Sequence, residues 1–226
     1  MIYAIADPHG CLAVLEKALQ SLDLAGANHL YLLGDYIPHE KPGMSTGEYL
    51  LRCEEALRYV KGFQESHPGC VDVLKGNHEL MLLERVDNGE LELDCRLAGW
   101  LRRLPVLIET EWQIFVHAGI DEEAGEWWRW GCDDWYLCSK FPPSFGLFEK
   151  DIVAGHVSTC ALAGDVAFRG VYWDGASHYY LDGTTERTGC MPILCYDVLR
   201  GRYLQRLATA EGVSDLIPVE AAGMQA

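Results

Sequence analysis

Five short apolar runs, each closed by a cluster drawn from Asp, His, Asn and Gly, restrict this chain more than any other feature. Ile2 to Ala6 lead into Asp7-Pro8-His9-Gly10, and His29 to Leu33 lead into Gly34-Asp35. Cys70 to Leu74 come just before Gly76-Asn77-His78-Glu79, Trp112 to Val116 before His117-Ala118-Gly119, and Asp151 to Ala154 before Gly155-His156. Apolar runs this short, bounded by turn residues, read as buried strands. In α/β sheets ligands sit beyond the carboxyl ends of strands, so these ends would bring Asp7, His9, Asp35, Asn77, His117 and His156 to one crevice. Carboxylate, imidazole and amide oxygen are donors for hard and borderline divalent ions. Two such ions about 3.5–4 Å apart can clamp the attacking and leaving oxygens of a phosphoryl displacement.

The residues between the runs predict an α/β chain of the α+β kind. Leu12, Leu15, Ala18, Leu19 and Leu22 repeat with helical spacing, as do Tyr49, Leu50, Cys53, Leu57, Val60 and Phe63 after a polar loop at 39–47. Glu79 to Val86 and Cys95 to Leu104 predict two further helices around the Asp87-Asn88-Gly89 turn. Past Pro105 the texture is β, with strands expected at 106–109, 112–116, 152–154, 170–173, 178–181, 193–197 and 202–207. An α/β front half and a β-rich back half predict mixed sheets packed together rather than one doubly wound sheet. No linker divides them, so residues 1–208 read as one domain. Residues 209–226, where Ala, Glu and Gly dominate without a period, read as a loose tail.

Eighteen basic against thirty-four acidic residues give a net charge of −16, which repels a nucleic-acid backbone and excludes that class of partner. Nine cysteines, an odd number without a regular framework, predict free thiols in a reducing compartment. With no basic segment before Asp7 and no 18-residue apolar span, the expectation is a cytoplasmic protein without a membrane partner. Nothing in the sequence sets an oligomeric state.

Taken in order, Asp-x-His-Gly at Asp7, Gly-Asp at Gly34, Gly-Asn-His-Glu at Gly76, then His117 and Gly155-His156, resemble the motifs of the calcineurin-like metallophosphoesterases. The bacterial Ser/Thr protein phosphatases and the symmetrical diadenosine tetraphosphatases are the nearest in pattern, and the resemblance runs to about Asp197. It implies a four-layer fold, a β-sandwich of mixed sheets flanked by helices. It also implies a dinuclear metal-dependent phosphoesterase that hydrolyses phosphomonoesters in the manner of a protein Ser/Thr phosphatase. Asp7 and His9 would hold one ion, Asn77, His117 and His156 the other, and Asp35 would bridge them. His78 would protonate the leaving oxygen while a hydroxide held between the ions attacks phosphorus in line. Mn2+ is the ion implied, with Fe, Zn or Ni suited to the same donors. Two divalent ions bring four positive charges and Asp7, Asp35 and hydroxide remove three, leaving roughly one unit to attract phosphate. Trp127-Trp128-Arg129 is similar to a Trp-x-Arg segment of the bacterial phosphatases, which makes Arg129 a phosphate-binding candidate. The implied partner is a phosphoprotein, small phosphoester or nucleotide, with symmetrical hydrolysis of dinucleoside polyphosphates as the alternative.

One motif departs from the family, which reads Gly-Asp-x-x-Asp-Arg-Gly where this chain reads Gly34-Asp35-Tyr36-Ile37-Pro38-His39-Glu40. Pro38 stands for the carboxylate that orients the catalytic histidine, and His39 for a phosphate-binding arginine. His39 can donate to phosphate when protonated, and Glu40 is the nearby candidate for the missing charge. The same departure leaves open a metal-binding module whose catalysis has decayed. Gly43-Met44-Ser45-Thr46-Gly47 spells a nucleophile elbow but follows a polar loop rather than a strand, so a serine hydrolase is set aside. Trp127, Trp128, Trp130, Trp135 and Tyr136 are expected to pack as core or as a lid face, with groove lining the lesser option. His29, His67 and His178 read as surface or strand residues.

Overall fold

Alternation along the short strands decides the layering. In β1 (Ile2–Ile5), Tyr3 and Ile5 turn to one side, while Ala4 and the following Ala6 turn to the other. After α1 (Leu12–Gln20), β2 (His29–Leu32) repeats this: Leu30 and Leu32 join Tyr3 and Ile5, whereas Tyr31 and Leu33 join the alanines. α2 (Thr46–Ser66) leads to β3 (Val71–Val73), and α3 (Asn77–Asp87) and α4 (Cys95–Arg103) complete the helical side of this half. The first apolar set packs against these four helices. The second faces another sheet, so each strand serves two cores with a period of two.

That second sheet begins with β4 (Leu107–Glu109) and β5 (Gln113–Val116). A 3-10 segment at Glu122–Trp127 and the short helices α5 (Trp128–Gly131) and α6 (Asp134–Ser139) interrupt it before β6 (Asp151–Ser158). α7 (Thr159–Ala163), β7 (Tyr172–Trp173), β8 (His178–Asp182) and α8 (Thr185–Thr188) follow. The chain then returns to the first sheet through β9 (Met191–Asp197), β10 (Arg202–Ala208) and β11 (Ile217–Pro218). Strand order is β11-β10-β9-β1-β2-β3 in one sheet and β4-β5-β6-β8-β7 in the other. β1, β2 and β3 run parallel, as do β5, β6 and β8, with antiparallel strands outside them. This is the expected α/β architecture, a sandwich of two mixed sheets flanked by helices. Phe115 stacks on Tyr31 across its middle, ring centroids 3.8 Å apart.

The computed structural model describes residues 1–222. Residues 209–222 are not the loose tail expected. β11 pairs with β10, Val219 is buried in the inter-sheet core and Ala221 bridges to Trp173. A pairing only two residues long leaves no periodicity to read, and residues 223–226 lie outside the described part. Among the described residues no helix is long and apolar enough to cross a membrane, and all nine cysteines are unpaired thiols.

Candidate metal centre

Parallel neighbours end side by side, and their backbones stay in register past the strands. Asp7 N–H donates to Gly34 O at 3.2 Å, His9 N–H to Asp35 O at 3.0 Å and Gly10 N–H to Tyr36 O at 2.8 Å. In the second sheet Gly155 N–H donates to His117 O at 2.8 Å. Asp7, His9, Asp35 and His156 all adopt positive φ, at 53°, 41°, 57° and 64°; among the described non-glycine residues only Thr184, at 51°, joins them. Such backbone is costly for L-residues and gathers where function over-determines it.

Glycine provides the remaining closeness. A Cβ on Gly76 would stand 2.2 Å from Asp35 Oδ1, and one on Gly155 would stand 2.0 Å from Asp7 Oδ2. The Asp35 loop is held from below by Glu79, whose buried carboxylate accepts N–H groups of Asp35, Tyr36 and Gly76 at 2.8, 2.9 and 2.9 Å, and of Ile37 at 3.3 Å. Burial and the Asp35 charge push Glu79 up to about 7 against the pull of these donors. Sequence reading passed over Glu79, although an acid three residues into a helix, after a glycine N-cap, is a recognisable capping signal.

The six candidate ligands meet. Asp35 Oδ2 lies 3.3 Å from His117 Nε2 and 3.7 Å from His9 Nε2. Asn77 Oδ1 lies 3.0 Å from His117 Nε2 and 3.1 Å from His156 Nδ1. His117 Nδ1 donates to the Leu33 carbonyl at 2.8 Å, which turns Nε2 to the cluster. The His156 amide reaches Asp7 Oδ1 and Oδ2 at 3.2 and 3.1 Å, and the His78 amide reaches Asp35 Oδ1 at 3.0 Å. Two sets have donor atoms within 4.8 Å of one another, Asp7–His9–Asp35 and Asp35–His117–His156, and Asp35 belongs to both.

Electrostatics fit a cation site. Burial pushes His9 and His156 down to about 4 and lowers His78, so these imidazoles are neutral at pH 7. Burial opposes the charges of Asp35 and His117, yet their mutual attraction outweighs it: His117 rises to about 10, and Asp35 falls well below the carboxylate range. Asp7, buried near Asp182 and Asp35, is pushed well above it. A buried donor set that holds protons to offset its own charge gains by exchanging them for cations.

His78 sits at the rim with Nε2 3.9 Å from Asp35 Oδ2. His39 stands beside it, half-exposed, its ring stacked on His9 at 4.2 Å and edge-on to His78 at 4.6 Å. Glu40 does not replace the missing carboxylate, because it turns to Arg85 at 3.0 Å. The acid that faces this corner is Glu186 of α8, 3.8 Å from His39 Nε2 and 2.8 Å from Lys41 Nζ, a residue with no sequence signal.

Arg129 is not brought to the cluster. Its guanidinium binds Glu109 at 2.6 and 3.1 Å and Glu149 at 2.9 Å. Glu109 pairs with Ile114, three residues before His117, which puts the arginine roughly 10 Å back along the strand. Nearby acids, invisible to a local motif, have claimed its fork. Of the aromatic cluster only Trp128 is core; Trp127, Trp130 and Trp135 are 73%, 75% and 51% exposed, contrary to a packing face. Ser45 of the elbow-like string is the N-cap of α2, its hydroxyl accepting the Glu48 amide.

No family model matches the chain. In sequence it is similar to symmetrical bis(5'-nucleosyl)-tetraphosphatases: 30% identical over 124 residues to that of Neisseria gonorrhoeae, covering 52% of this chain and 43% of the relative. For Chromobacterium violaceum the figures are 32% over 133 residues, 53% and 43%, so the aligned part spans less than half of each relative's length. Among solved structures, a cold-active protein tyrosine phosphatase superposes with a TM-score of 0.68 at 17% identity, covering 98% of this chain and 79% of that one. A protein serine/threonine phosphatase from Saccharomyces cerevisiae gives 0.57 at 13%, covering 96% and 82%. A metallophosphoesterase from Sphaerobacter thermophilus gives 0.50 at 14%, covering 97% and 88%. Over about half its length the chain is thus similar in sequence to symmetrical bis(5'-nucleosyl)-tetraphosphatases, and in fold it is similar to solved phosphatases and a metallophosphoesterase.

Proposed function

We propose that the chain is a dinuclear, divalent-metal-dependent phosphoesterase with Mn2+ as its working ion, acting on phosphomonoesters. The observation that carries this reading is the position of Asp35, the one carboxylate common to both donor sets. Asp7 and His9 would hold one ion, and Asn77, His117 and His156 the other. Bound there, the ions would activate water and offset phosphate charge.

The rest is the work of the chain itself. His78, neutral in the free protein and at the rim, carries the proton for the leaving oxygen once charged by the approaching phosphate. Glu79 fixes the Asp35 loop through four amides. His39 offers a phosphate donor in place of the family arginine.

A second reading, symmetrical hydrolysis of dinucleoside polyphosphates, is favoured by the sequence relatives. The engagement of Arg129 by Glu109 and Glu149 withdraws one feature that had linked the chain to the bacterial protein phosphatases.

The test joins metal analysis to p-nitrophenyl phosphate turnover for the wild type, Asp35→Asn and His78→Asn. Asp35→Asn should lose metal, while His78→Asn should keep it and lose roughly 10²–10⁴ in rate. Metal retention with no turnover on any phosphoester would select the decayed module instead. Phosphate from phosphoserine peptides supports the first substrate class; two ADP from diadenosine tetraphosphate supports the second.

A further inference from the structure

The Pro38-His39 departure changes the metal chemistry of the rim as well as its charge. His9, His39 and His78 form a third set whose donor atoms lie within 4.8 Å of one another, and it contains no carboxylate. The rings are close on every side: 4.2 Å between His9 and His39, 4.6 Å between His39 and His78, and 4.9 Å between His9 and His78. Glu186 lies within ion-pair reach of one His39 nitrogen. A carboxylate placed there orients an imidazole and leaves the other nitrogen for an ion.

We propose that His9, His39 and His78 form an alternative cation position, selective for zinc-like ions over Mn2+, that takes His9 away from the Asp7–Asp35 group. The selectivity follows from the donors: imidazole suits Zn2+, Ni2+ and Cu2+, whereas carboxylate-rich sets suit Mn2+ and Mg2+. Exclusion follows from His9, whose Nδ1 lies 3.3 Å from the Ile37 carbonyl and whose Nε2 alone faces the cluster. One nitrogen serves one ion, so the two positions compete. An ion at the rim also occupies the His78 nitrogen needed for proton transfer, which makes excess Zn2+ an inhibitor. That last consequence rests on the phosphoesterase reading; the binding does not.

The experiment uses the full chain stripped of metal, wild type and His39→Gln, titrated with Zn2+ and with Mn2+ against a chromophoric chelator. Imidazole 15N spectra are recorded during the Zn2+ titration. Zn2+ should shift the His39 and His78 resonances of the wild type. His39→Gln should weaken Zn2+ binding about tenfold or more, since losing even an outer partner of a ligand costs 10–100-fold, while Mn2+ affinity stays within about twofold. An unmoved His39 resonance, or equal losses for the two metals, overturns the proposal. A second arm compares Zn2+ inhibition with each protein's own Mn2+-supported rate and should find it only in the wild type. If neither protein turns over any phosphoester, the functional reading fails while the affinities still decide the site.

Discussion

Gly155→Ala isolates the contact that seats Asp7. Gly155 lies in β6 outside the positive-φ region, so alanine meets no backbone penalty there, and the whole effect is steric. The new methyl would stand 2.0 Å from Asp7 Oδ2 and 2.7 Å from the Ala6 Cβ, distances that real Cβ atoms essentially never show below 3.0 Å. Asp7 must therefore withdraw by about 1 Å at least, several times the ~0.2 Å tolerance of a metal–ligand distance. It cannot withdraw freely, because both its oxygens accept the His156 amide and the whole residue is buried. Overpacking of this kind costs about 1–3 kcal/mol, or about 2–12 °C of Tm for a chain this long. The assay is Tm of the metal-stripped protein, followed by metal content after dialysis against Mn2+. Gly62→Ala is the control: it lies in α2 with open space around it, and should raise stability by about 0.5–1 kcal/mol. A Gly155→Ala protein that melts within about 2 °C of wild type and binds a full complement of Mn2+ would refute the steric argument.

Glu79→Gln should cost about 2–6 kcal/mol in urea unfolding, because an amide turned to four backbone N–H groups leaves about two of them unsatisfied; a loss below about 1 kcal/mol would count against the clamp. His178 is held between Asp174 and Glu122 at 3.0 and 3.1 Å; burial opposes its charge, but the two carboxylates raise its pKa above the ordinary value. Its stabilising contribution is therefore full below about pH 6.5 and is lost as pH rises through the folded value. The Tm gap between wild type and His178→Gln should narrow in that direction, and a gap that widens would reverse the assignment. Arg129→Ala should leave KM for p-nitrophenyl phosphate within about twofold, since its fork is already filled by carboxylates; a tenfold rise would restore it as a phosphate ligand.

The strands of both sheets were legible because two-residue alternation and short apolar runs are local signals, and a strand's cores are set by its own side chains. β11 and α8 were not, being two and four residues long with no period to detect. Consequently the pairing of residues 217–218 and the Glu186 carboxylate had no trace in sequence. Trp127-Trp128-Arg129 failed for a related reason: a local string shows which groups are present, while Glu109 and Glu149, some twenty residues away, decide what the guanidinium meets.

Sequence alone determined which donors the chain possesses, that Asp7, His9, Asp35, Asn77 and His117 come after strands, and that Pro38 and His39 interrupt the second motif; His156, expected after a strand end, lies inside β6 instead, because that strand runs on to Ser158. Composition and order carry that information because residue chemistry and strand period need no partner. Tertiary structure alone decided that Asp35, which the motif resemblance had already made the bridge, comes within reach of both donor sets, that four donor-bearing residues are held at positive φ, and that glycine leaves room for the carboxylates. These depend on parallel strands from two sheets ending at one level, and close approach between distant segments is a property of packing rather than of any residue within them.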